Sequence, residues 1–182
     1  MSYTQKLLVY TFAAVLVSSA YSVYVLAVQS VGPHQETWLS EVGEVFGELG
    51  IWMFAVIYGR TLLKLSLGKG SPLQRVLPDF SLAPTMSWLK KGLVYLNRTH
   101  NYVGIATICT IGIHLVLVGF PMEILFFPLV VALVVWQGMF GLFLTLRYSP
   151  KELKKFSYLV HAQLFTGVLI GVFTWFGHLL ID

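Results

Sequence analysis

The sequence predicts an all-α, polytopic membrane helical bundle with five transmembrane helices. Three observations lead there. Hydrophobic residues fill 57% of the 182 positions and charged residues only 11%, which is not the composition of a soluble domain. Apolar runs near the ~20 residues needed to cross a bilayer core recur along the chain. The few charges left are sorted by sign between alternate connections, as the positive-inside rule requires.

The first span covers about 7–28, after Lys6; it is too long for the apolar region of a signal peptide and reads as a membrane helix. The second covers about 46–66, from Phe46 through LGIWMFAVIYG. The third, about 100–120, contains NYVGIATICTIGIHLVLVGF, and the fourth, about 122–146, contains ILFFPLVVALVVWQGMFGLFLTL. The fifth runs from Ser157 to about 180. Pro121 makes the turn between the third and fourth tight, and the basic loop RYSPKELKK joins the fourth to the fifth. The long connection 67–99 holds Pro72, Pro78 and Pro84, then SWLKKGLVYLNRTH, where Leu89, Leu93, Val94 and Leu96 alternate with Lys90, Lys91 and Arg98. That pattern suits either a short amphipathic helix on the inner membrane surface or an extension of the third span. No repeat or low-complexity segment divides the chain, and 1–182 reads as one membrane domain.

Charge sets the expected orientation. Loop 29–45 carries Glu36, Glu41 and Glu44 and no lysine or arginine. The basic residues are Lys6, then Arg60, Lys64, Lys69, Arg75, Lys90, Lys91 and Arg98, then Arg147, Lys151, Lys154 and Lys155. In a five-span chain all twelve fall on one side, so the N-terminus is expected in the cytoplasm and Asp182 outside. The net charge of +4 is thereby accounted for without nucleic acid; membrane lipid, including anionic headgroups, is the expected surface partner. The expected location is a bacterial inner (plasma) membrane.

Four of the five histidines lie on two of these spans: His100 and His114 on the third, His161 and His178 on the fifth. Ionisable groups within a membrane are functional by default, and paired neutral imidazoles hold haem iron from both sides. Residues 100 and 114 differ by about 40° around a helix and roughly 21 Å along it, so they share a face. With one span between them, the third and fifth spans run parallel. His100 is then level with His161 and His114 with His178, giving an inner and an outer haem site. On a straight fifth helix His161 and His178 lie about 100° apart; tilt, supercoiling or a π-bulge is needed to aim both at one neighbour. The single cysteine, Cys109, gives no internal disulfide and no CxxCH, so any haem is b-type and held non-covalently.

Other chemistries remain open. A single histidine near an interface is often simply hydrogen-bonded to the next helix. Chlorophyll takes one axial histidine and needs no facing partner. Zinc wants a compact four-ligand cluster, and a proton relay wants buried carboxylates, for which Glu48 is the one acidic candidate in a span. Gly104, Gly112, Gly167 and Gly171 would admit a flat macrocycle or another helix in a small-residue contact. Arg98 suits haem propionates and equally suits a positive-inside anchor. His34, beside Gln35 and Glu36, reads as a solvated loop residue or part of an outer site, and the acidic outer loop as solvated or as a docking surface. Trp136 and Gln137 are polar-capable groups at membrane depth without an assigned role.

RTHNYVGIATICTIGIH, with its basic residue before His100, and VHAQLFTGVLIGVFTWFGH together resemble the ferric-reductase-like transmembrane domain. The resemblance covers roughly residues 95–180. It implies two b haems ligated by His100, His114, His161 and His178, carrying electrons from the inside to the outside. The first pair has the family's spacing, and the second is three to four residues longer. No Gly-rich phosphate loop follows a strand, so the electron donor is expected to be quinol or a separate cytoplasmic flavoprotein, with an outer-side acceptor protein. The expectation is thus a di-haem b-type cytochrome, as a subunit of a membrane reductase. The alternative is a non-redox structural or pigment-binding subunit of a larger membrane complex, and a weaker one a transporter or proton channel.

Overall fold

The computed structural model describes residues 3–28, 37–67 and 83–181. Among them are six helices and no strand: α1 Tyr3–Val28, α2 Trp38–Leu67, α3 Ala83–Val118, α4 Phe126–Thr145, α5 Lys151–His161 and α6 Leu164–Leu179. His34, Gln35, Glu36, Lys69, Pro72, Arg75, Pro78 and Asp182 lie outside the described residues. Helices α1 to α4 are each long and apolar enough to cross a membrane, and α5 with α6 make a fifth crossing if that bent pair is one span. Large apolar side chains stand outward along them, with Phe12 70%, Trp52 72% and Val116 81% exposed. In water each such surface would be penalised at roughly 25 cal/mol per Å²; lipid removes the penalty. Several serine and threonine hydroxyls in the spans close onto their own helix, as Ser22 does on the Ser18 carbonyl and Thr107 on that of Val103.

Two compact units are present, Val42–Val118 and Met1–Glu41 with Gly119–Asp182. In the first, α2 and α3 pack antiparallel. A Cβ at Gly43 would clash with Val118 and one at Gly47 with His114, while one at Gly50 would stand 3.3 Å from Ile111, tight but short of a clash. The Thr110 hydroxyl approaches the Met53 sulfur, and Arg60 Nε donates to Asn97 Oδ1 at 2.7 Å. Three small residues on one face of α2 thus let the helices approach closely.

In the second unit α4 packs on α5 and α6, and α1 packs on α6. Its core joins Val25 of α1, Ile124, Phe126 and Phe127 around the start of α4, and Leu180 after α6. The Tyr21 ring meets Phe126 edge-on at 5.1 Å, and its hydroxyl accepts the Leu125 amide. A second aromatic group at the other end of α4 sets Phe140 against Trp136 and Phe156.

Several boundaries differ from the sequence reading. The acidic loop expected over 29–45 ends early, because Thr37 and Ser40 cap α2 reciprocally: the Ser40 amide donates to Thr37 Oγ1 and the Thr37 amide to Ser40 Oγ. The amphipathic stretch 87–99 is continuous with the third span in α3. Gly119, at φ +94°, rather than Pro121, takes the left-handed conformation that ends α3, and the fourth span starts at Phe126. The largest difference is the fifth span. It breaks at Ala162–Gln163 with a bend of 47°, so the straight-helix angle between His161 and His178 does not apply.

Candidate functional site

Each histidine is positioned by its own helix and, in two cases, by a notch in a neighbour. His114, on α3, sets Nδ1 2.8 Å from the Gly43 carbonyl of α2. Its ring covers Gly47, where a Cβ would come within 2.8 Å of Nδ1. His161, the last residue of α5, sets Nδ1 2.9 Å from the Gln137 carbonyl of α4 and covers Gly141, where a Cβ would come within 2.9 Å of Cε1. The same device thus occurs once in each unit: an imidazole bonded to the carbonyl of residue i and seated over a glycine at i+4. A helix carbonyl already accepts the amide of residue i+4 and has a second lone pair for the ring. The glycine is what lets the ring come close enough to reach it.

His178 uses its own helix instead. Its Nδ1 is 2.9 Å from the Thr174 carbonyl, and its ring meets Phe127 edge-on at 5.6 Å. Gly177 beside it is covered by Phe127 and Phe126. His100 is half-buried on α3, continuous with His114, so the single-helix spacing of about 21 Å holds between those two.

These contacts settle the tautomers. A carbonyl oxygen only accepts, so Nδ1 of His114, His161 and His178 carries the proton. A neutral ring then has its lone pair on Nε2. Ligating histidines show this arrangement, because the bond from the other nitrogen fixes the ring and raises the basicity of the ligating one. Among the described residues, no three His, Cys, Asp or Glu side chains converge in a group able to hold a metal ion; axial ligation of haem takes two.

Other residues singled out in the sequence fall in place as follows. At Gly104, Gly112 and Gly171 nothing among the described residues lies within 4 Å of where a Cβ would stand, so their faces are open. Gly167 is buried in α6. Arg98 is exposed, as are Glu41 and Glu44, and Trp136 packs on Phe140. Gln137 proves to matter through its backbone carbonyl. Sequence reasoning missed Gly43, Gly47 and Gly141; the available signal was the spacing Gly43-xxx-Gly47, with Gln137-Gly-xx-Gly141 as its counterpart. No known protein family, characterised protein or solved structure matches the chain.

Proposed function

We propose that the chain is the haem-bearing membrane subunit of a b-type cytochrome system that passes electrons across the bilayer. In this reading His100, His114, His161 and His178 supply axial nitrogens to two haems. The observation that supports it most is the repeated Nδ1–carbonyl bond. Three of the four imidazoles set Nδ1 on a backbone carbonyl, and a neutral ring held that way offers Nε2 as its acceptor nitrogen, the form a haem iron takes. Haem, when bound, supplies one-electron chemistry. The chain supplies the rest. The carbonyls of Gly43, Gln137 and Thr174 hold the rings, the notches at Gly47 and Gly141 fix two ring planes, and the apolar helices exclude water. A separate electron donor, an outer-side acceptor protein and a cytoplasmic N-terminus belong to the same proposal.

The test is the visible spectrum of purified protein before and after dithionite, with haem extracted and counted per chain. Two b haems and a reduced α-band are expected. His114→Ala and His161→Ala should each lose a haem, and paired losses of one spectral component identify the histidines that share an iron. No α-band, or full haem content in both variants, would sink the proposal.

A second reading has its own support. The rings of His114 and His161 also fasten pairs of helices, which suits a non-redox structural or pigment-binding subunit. It expects a folded protein carrying chlorophyll or no cofactor, with His114→Ala costing stability alone.

A further inference from the structure

Helix α1 carries three serines within five positions. Ser19 donates to the Val15 carbonyl at 2.8 Å and Ser22 to that of Ser18 at 2.9 Å. Ser18 does otherwise. It is only 2% exposed, and its Oγ has no hydrogen-bond partner among the described residues. A buried hydroxyl left in that state is costly, more so where no water reaches it. Ser18 also lines an open cleft of about 440 Å³ between α1 and α6, walled by Tyr10, Phe165 and Phe173 and floored by Ala13 and Ala14. Tyr10 and Phe165 stand 5.8 Å apart, ring to ring. The lining is otherwise apolar.

These features specify a ligand chemistry. It must be soluble in lipid, because the cleft opens on a helix face of membrane character. It must be flat, to lie on alanines against aromatic rings. It must carry an acceptor for one hydroxyl. The acceptor must also reach deep, because Ser18 is roughly 18 Å along α1 from Lys6. The ester carbonyls of a phospholipid stay at the interface, and its acyl chain offers no acceptor. We infer that the α1–α6 cleft binds the ring of a lipid-soluble quinone, with Ser18 Oγ donating to a ring carbonyl. This rests on the cleft and its hydroxyl, and does not need the histidines to hold haem.

The experiment uses the full chain in lipid nanodiscs. A photoreactive azidoquinone is crosslinked, the labelled peptides are mapped, and labelling is competed with decylubiquinone or with palmitate. Labelling in α1 or α6 is expected, displaced by decylubiquinone and not by palmitate. Ser18→Ala should weaken decylubiquinone competition at least tenfold, and Ala14→Phe, which fills the floor, should abolish labelling. Equal competition in Ser18→Ala and the parent chain would overturn the proposal. So would equal displacement by palmitate, which would make the cleft an acyl-chain groove. Because ligand retention is read rather than haem reduction, a chain without haem leaves this test intact, and failure to bind quinone leaves the haem proposal standing.

Discussion

Gly47 and Gly141 have no side chain because imidazole rings occupy the space one would need. A Cβ at either would stand 2.8 or 2.9 Å from a ring atom of His114 or His161, closer than packed atoms tolerate. Gly47→Leu and Gly141→Leu should each destabilise the protein by about 1–3 kcal/mol, the usual cost of overpacking. Both should also displace the ring from its carbonyl. Gly112→Ala, whose Cβ meets nothing among the described residues, should stay within about 0.5 kcal/mol of the parent or gain slightly from helix propensity. Thermal melts of the detergent-solubilised variants separate the two classes. Equal melts for Gly47→Leu and Gly112→Ala would show that the notch holds nothing.

The break between α5 and α6 is the element that most changes the expected arrangement. It carries neither proline nor glycine, the usual causes of a sharp kink. His161, tied to α4 through the Gln137 carbonyl, stands immediately before it. The last turn of α5 closes with Gln163 N–H donating to the Val160 carbonyl, and Gln163 is extended at φ −74°, ψ 115°. An extended residue is what a following proline requires, and the first helical position tolerates proline well. Leu164→Pro should therefore cost about as much as Leu164→Ala, both losing the same buried side chain. In an unbroken span the proline would cost roughly 3 kcal/mol more. The difference in unfolding midpoint between the two variants decides it.

At the scale of the whole molecule, apolar exposure and charge asymmetry act together. The helices present bare apolar surface over most of their length, so membrane insertion is a condition of their stability. The basic residues then set the orientation expected of the inserted chain. With Cys109 replaced by serine, a cysteine at Glu44 should react with a membrane-impermeant maleimide added outside intact cells. One at Lys154 should react only after lysis. The reverse pattern would invert the orientation, and labelling of both from outside would remove one crossing.

Membrane character, the existence of four long apolar helices, a possible fifth crossing and the candidate histidines were all legible in the sequence, because each depends on composition and local spacing alone. The amphipathic stretch before His100 stayed ambiguous, since lying on a surface and extending a span demand the same local periodicity. What only tertiary structure decided is where backbones approach. Of the four glycines expected to matter, Gly104, Gly112 and Gly171 face no described neighbour and Gly167 is buried in α6, while Gly47 and Gly141 meet a ring. A glycine's role depends on which neighbour stands opposite, and the sequence of one helix does not contain that neighbour. The same holds for the break after His161, whose anchor is a carbonyl 24 positions earlier in the chain. It holds too for His114 and His161, whose Nδ1 protons are held by carbonyls that only folding brings within reach, whereas His178 finds its carbonyl on its own helix.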